Sequence, residues 1–167
     1  PAANVTGTGT FTLPSTGTLI IGSPDGISAS GGTGQIQTTR RNFAAGAIYD
    51  YRGTSAQITG DGLPSSIKKL RIENSTGVAL TSGTAVSDTV HLVSGDLDLN
   101  GNTLTLGALG YLRETTGNSV VGTSGTITTT RTLTIPTGDD IAGLGVAITS
   151  AADLGSTVIA RGHAVQG

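Results

Sequence analysis

Between Leu63 and Gly107 the chain repeats a pattern. Aliphatic residues alternate with polar ones in short bursts: Leu70/Ile72, Val78/Leu80, Val90/Leu92, Leu97/Leu99 and Leu104/Leu106. Alternation of period two marks a strand with one buried face. Turn chemistry separates the bursts: Asn74-Ser75-Thr76-Gly77, Ser82-Gly83, Ser94-Gly95 and Asn100-Gly101-Asn102. Gly and Asn accept the positive φ such corners demand.

The bursts also recur at a longer spacing. Leu70/Ile72 returns about 20 residues later as Val90/Leu92, Val78/Leu80 as Leu97/Leu99, and Ala85/Val86 as Leu104/Leu106. Short strands and tight corners in a period of about 20 residues describe one coil of a parallel β-solenoid. One coil cannot complete its own hydrogen-bond ladders, so each needs neighbours above and below. The expectation is an all-β chain with a right-handed parallel β-solenoid of about five coils over residues 11–107. Leu70, Ile72, Val78, Leu80, Val90, Leu92, Leu97, Leu99, Leu104 and Leu106 should point inward.

Composition agrees with a thin, layered core. Only 35% of the residues are hydrophobic and 3% aromatic, while Gly numbers 27, so many short strands and few helices are expected. A net charge of −2 with 12% charged residues leaves no footprint for nucleic acid or an anionic membrane. No apolar run reaches the length of about 18 residues that would span a bilayer. The absence of Cys excludes disulfides and thiolate metal sites. A start at Pro1-Ala2-Ala3-Asn4 suggests a processed chain or a piece of a longer one.

Outside the regular stretch the pattern loosens. Residues 23–35 read as a loop anchored by Ile27, and Arg40-Arg41 and Lys68-Lys69 with Arg71 as solvated basic spots. After Gly107, Tyr111–Glu114 and Thr126–Ile135 are strand-like. Asp139 is placed to cap one helical turn over residues 141–144. Val146–Thr149 and Thr157–Arg161 look like a terminal strand pair. The division is a solenoid over 1–110 and a β-rich terminal segment over 111–167, with a soft boundary.

Several residues carry candidate chemistry. Asp96-Leu97-Asp98-Leu99-Asn100-Gly101 matches the opening of a calcium loop, making Asp96, Asp98 and Asn100 the metal candidates. The twelfth position, however, is Gly107 where that loop requires a bidentate Glu. Counting one coil either side of Asp96 and Asp98 gives Thr76 and Val78, then Thr116 and Asn118. No second carboxylate stacks there for glycosidic chemistry. His91 and His163 are too few for a histidine metal cluster, and structural roles are expected for both. Tyr49, Tyr51 and Tyr111 are the available stacking platforms for sugars. Thr89 follows Asp88 in a D-[ST]-aliphatic pattern and is the candidate for O-glycosylation.

Ala47–Gly62 (AIYDYRGTSAQITGDG), Leu63–Leu80 (LPSSIKKLRIENSTGVAL) and Ile141–His163 (IAGLGVAITSAADLGSTVIARGH) carry a resemblance. In order, they are similar to a repeated module of very large surface proteins of Bacteroidota. There an A-Y-x-Y-x-G-T-x-A-Q-x-T-G-x-G-L-P segment leads to L-x-I-x-N-S-x-G-V-x-L. The module ends in G-L-G-x-x-I-T-S … L-G-S-T-x-V-x-R-G-H. The resemblance implies an extracellular, cell-surface, non-enzymatic stalk, filament or adhesin repeat. It also implies type IX secretion and a link to attachment and gliding motility; no cofactor is expected, calcium at Asp96, Asp98 and Asn100 aside. The family pattern runs on past R-G-H whereas this sequence stops at Gly167, so a fragment or single repeat is expected. The partners expected are neighbouring repeats or identical subunits, end to end, through Thr-rich first and last strands, and surface glycans. A carbohydrate-binding module and a carbohydrate-active β-helix enzyme are the alternatives.

Overall fold

The computed structural model describes residues 3–163; Pro1, Ala2 and residues 164–167, with whatever part they play in the expected terminal contacts, lie outside it. Among the described residues there is no helix, and every regular element is a strand. In chain order these are β1 (Val5–Leu13), β2 (Thr18–Ile21), β3 (Ile36–Phe43), β4 (Ile48–Tyr51) and β5 (Gln57–Ile58). There follow β6 (Ser66–Glu73), β7 (Val78–Ala79), β8 (Thr84–Ser94), β9 (Leu97–Asp98), β10 (Thr103–Leu106) and β11 (Tyr111–Glu114). The last are β12 (Val120–Val121), β13 (Thr126–Leu133), β14 (Thr137–Asp140), β15 (Ala147–Thr149) and β16 (Gly155–Gly162).

Parallel pairing stacks β2 and β4 to β13 into a three-faced β-solenoid of about four turns. The first face carries the start of β6, the start of β8, then β10 and the start of β13. The second face stacks β2, β4, the later parts of β6 and β8, and β11. The third is β5-β7-β9-β12. β6 and β8 pass the corner between the first two faces without a break, and their register shifts there. Burial follows: in β6 Ile67 points inward, then Leu70 and Ile72 with the phase reset between them, while in β8 the inward residues are Thr84, Val86, Val90 and Leu92.

The coil period holds. Leu70 pairs with Val90, Ile72 with Leu92, Val78 with Leu97 and Val86 with Leu106, and the ten aliphatics expected inside are all buried. One position differs by a residue: Thr84, not Ala85, lies inward beneath Leu104. Its hydroxyl is satisfied by donating to the Pro64 carbonyl. The stack has about four turns, not five, because residues 22–35 supply no strand and leave the first coil incomplete. That stretch folds as a loop pinned by the fully buried Ile27. β1 and β3 form a separate parallel pair whose Phe11 and Phe43 rings meet at 5.9 Å.

The stacking also runs beyond residue 110, since β11, β12 and the first half of β13 pair in parallel with β8, β9 and β10. Leu112, Val120 and Ile127 take the inward positions there. The change of architecture comes at the edge of β13, against which β16 lies antiparallel from Thr126↔Gly162 to Leu133↔Gly155. The expected pairing of Val146–Thr149 with Thr157–Arg161 does not form, because β15 pairs with β14 instead. Nor does Asp139 cap a helix. The Asp140 carboxylate accepts the Gly145 N–H at 2.9 Å and closes a turn, in which Ala142 has φ +61°, outside any right-handed helix.

Buried amides tie the corners together. Gln35 Oε1 accepts the N–H groups of Gly22 and Ser23. Gln57 Nε2 donates to the carbonyls of Ile21 and Ser23, and its Oε1 accepts from Gly53 N–H. Asn74 Nδ2 then donates to Gln57 Oε1 at 2.9 Å and to the Ser55 carbonyl. Further along, Asn118 Oδ1 accepts the Gly95 N–H. These side chains satisfy corner backbone groups that no strand reaches.

Candidate functional site

Register on the second face fixes what projects outward. Residues flanking the buried Leu70 and Ile72 point to solvent, and the pairing aligns them into two columns along the axis. One column is Thr18, Ile48, Lys69, Thr89 and Tyr111; the other is Ile20, Asp50, Arg71, His91 and Arg113. Neighbouring strands lie about 4.8 Å apart, so each column is a ladder with that rung spacing. Between the columns runs a shallow groove of about 430 Å³ that includes Asp50, Lys69, Arg71, Thr89, His91 and Arg113.

The charges in this groove are mostly spoken for. Asp50 is 2% exposed, and its Oδ2 accepts Arg52 at 2.8 Å and Arg71 at 3.2 Å. Glu73 pairs with both of these arginines. The hydrogen bond to Asp50 raises the Arg52 pKa further. Lys69 pairs with Asp88 at 3.3 Å, and Asp88 also accepts the Thr89 hydroxyl. First that hydroxyl and then Lys69 hold the Asp88 carboxyl below its ordinary value. Arg113 is exposed and forms no ion pair among the described residues. His91 beside it is kept below the usual imidazole pKa by burial and then by Arg113 and Arg71.

The structure separates the three tyrosines. Tyr49 and Tyr51 are fully buried, so the expectation that they offer exposed stacking surfaces is corrected. They occupy the same inward positions as Leu70 and Ile72, and their hydroxyls donate to the carbonyls of Ala44 and Thr59. Burial pushes the Tyr49 pKa up to about 12 and raises that of Tyr51 as well. Tyr111 is 45% exposed and flanks Arg113 at the end of the groove. Thr89 is half-buried in the middle of the face, between Lys69 and Tyr111 on adjoining rungs.

The third face carries Asp96 and Asp98, which line a second groove of about 350 Å³. Asp96 Oδ1 accepts the Ser119 N–H and Asp98 Oδ1 the Asn100 N–H, both at 2.8 Å. Asn100 turns its amide nitrogen to the Leu80 carbonyl, which ties it to the coil below. Among the described residues no three His, Cys, Asp or Glu side chains gather as a metal site. The coil neighbours counted from sequence were offset: Asp98 pairs with Ala79 and Val121. No paired rung among the described residues sets one carboxylate beside another.

The basic residues are less idle than their sequence suggested. Arg41 donates to the carbonyls of Thr38, Ser28 and Gly31, tying the 22–35 loop to β3. Arg131 likewise donates to the carbonyls of Gly107 and Gly110. His163 lies against the Arg161–Glu114 ion pair, and burial followed by Arg161 lowers its pKa. The column Asp50–Arg71–His91–Arg113 was missed, although its members stand about one coil apart, the spacing already visible in the aliphatics. No family profile, curated protein or solved structure matches the chain.

Proposed function

We propose that this chain is a non-enzymatic structural and adhesive module, a stalk or filament repeat displayed at a cell surface. The observation carrying that reading is the layout of its hydrogen-bond ladders. Three faces stack with an aliphatic interior, and the strand edges at the two rims are where such a stack continues. β2 presents one edge and β16 the other. Joining the first edge of one module to the last of another is a head-to-tail contact, which propagates without closing. Among the described residues the strand pairings set no carboxylate beside another, which offers no pair for glycosidic chemistry. The sequence resemblance to surface modules supports an extracellular setting and neighbouring repeats as partners. Among the described residues no helix is long and apolar enough to cross a membrane.

Light scattering and electron microscopy of the 167-residue chain over a concentration series test this. Mass that rises with concentration, and end-to-end rods, are the expected result. A monodisperse monomer at every concentration would overturn the end-to-end contact. Turnover of a polysaccharide would overturn the non-enzymatic reading.

A further inference from the structure

We propose that the outward second face binds a carboxylated, uronate-type polysaccharide, with one sugar carboxylate held by Arg113 and His91 and a sugar ring resting on Tyr111. This rests on the adhesive reading above and names its ligand class. The reasoning starts from charge. Arg52 and Arg71 are matched by Asp50 and Glu73, and Lys69 by Asp88. What remains in the groove is the Arg113 guanidinium, exposed on β11 with no acidic partner among the described residues, next to His91 on the adjoining rung. The guanidinium fork suits a carboxylate, and an imidazole N–H one rung away adds a second donor. The low His91 pKa agrees, because burial and the cations Arg113 and Arg71 outweigh the opposing pull of Glu73.

Geometry narrows the class. Tyr111 is the exposed aromatic of this face and stands two residues from Arg113 on β11. The end of β14 and the turn after it hold it from behind, where its hydroxyl lies 3.4 Å from Asp140 Oδ2 and its ring borders Gly143. Arg113 lines both the groove beside His91 and the shallower one under Tyr111. A pyranose on the ring thus places its substituents over Arg113, and the chain runs on along the Thr89 and Lys69 rungs. In the groove, one unpaired guanidinium engages one carboxylate at a time, so the contact is a single uronate and its ring and not a long run of charges. Nucleic acid, with a charge every ~1.7 Å of duplex, calls for a run of free cations that this face lacks.

The experiment is calorimetric titration of the full chain with polygalacturonate, dextran, dextran sulfate and a DNA duplex. Polygalacturonate binding that weakens with salt is expected, with none to dextran. Arg113→Gln and Tyr111→Ala should each weaken it about tenfold, the worth of one charge-assisted contact or one stacked ring. Arg40→Gln, an exposed cation elsewhere, should leave it unchanged. Near-native circular dichroism of each variant shows that the coil is intact. Failure to bind polygalacturonate would overturn the proposal, as would equal binding by R113Q, equal loss in R40Q, or a preference for dextran sulfate or DNA. Concentration-dependent mass, measured on the same samples, reports the end-to-end contact separately.

Discussion

Asn74 does the work of several backbone groups at once. It is fully buried, donates to Gln57 and to the Ser55 carbonyl, and accepts both the N–H and the hydroxyl of Thr76. Asn74→Ala should therefore leave buried partners without hydrogen bonds and cost about 1–3 kcal/mol in denaturant unfolding. Gly95 is the sharper case. It sits at φ +84°, and a Cβ there would lie 1.8 Å from the Asn74 carbonyl oxygen. Gly95→Ala should cost more than Asn74→Ala, because the corner itself has to move. An equal or smaller loss in the same denaturant series would show that the corner yields freely. Sequence alone read both positions as turn chemistry. It could not show that the Asn74 amide bridges two coils, because Gln57 is distant in the chain.

At the scale of elements, β16 depends on a contact outside its own ladder. Arg161 Nη2 lies 2.7 Å from Glu114 Oε1, joining the antiparallel return strand to β11 on the second face. Glu114 Oε1 also accepts the Val120 N–H. Burial pushes the Glu114 pKa up, but the hydrogen bonds from Arg161 and Val120 outweigh it and hold the carboxyl below its ordinary value. A carboxyl depressed by folding contributes stability that is complete above its unfolded value and is lost as pH falls through the folded one. Amide exchange in β16 should thus accelerate as pH drops below about 4.5, after correction for intrinsic exchange. In Glu114→Gln this acid step should vanish while the neutral-pH rate rises. The strands of this region were legible as β-prone runs, since that depends on local composition. Their partners were not: alternation in Thr157–Arg161 suits β13 as well as β15, and register is a long-range choice.

For the whole molecule the repeat makes the contacts mainly between neighbouring coils. Leu92 is fully buried, above Ile72 on one side and beside Glu114 of β11 on the other. Leu92→Ala should cost about 2–5 kcal/mol. In a quasi-one-dimensional stack its effect on exchange should be largest in β6, β8 and β11 and fade toward β1 and β3. Uniform loss of protection along the chain would instead mean a single cooperative unit. The solenoid itself was readable because each coil repeats one alternation at one spacing. The charged second face was readable in principle from the same spacing. The loop over 23–35 and its Ile27 anchor were readable from the lack of alternation, but that the loop leaves the first coil incomplete was not, because whether a corner segment pairs with the next coil is a long-range choice.

The return of β16 has a mechanical meaning. Gly162 lies opposite Thr126, so the strand's last residues sit beside the point where β13 begins. Tension applied at that end loads the bonds singly, as in opening a zip, and not all together in shear. Arg161 and Glu114 are the clasp at the first tooth. In a tethered array, β16 would then yield before the coils, lengthening the tether and limiting the load that reaches the stacked faces.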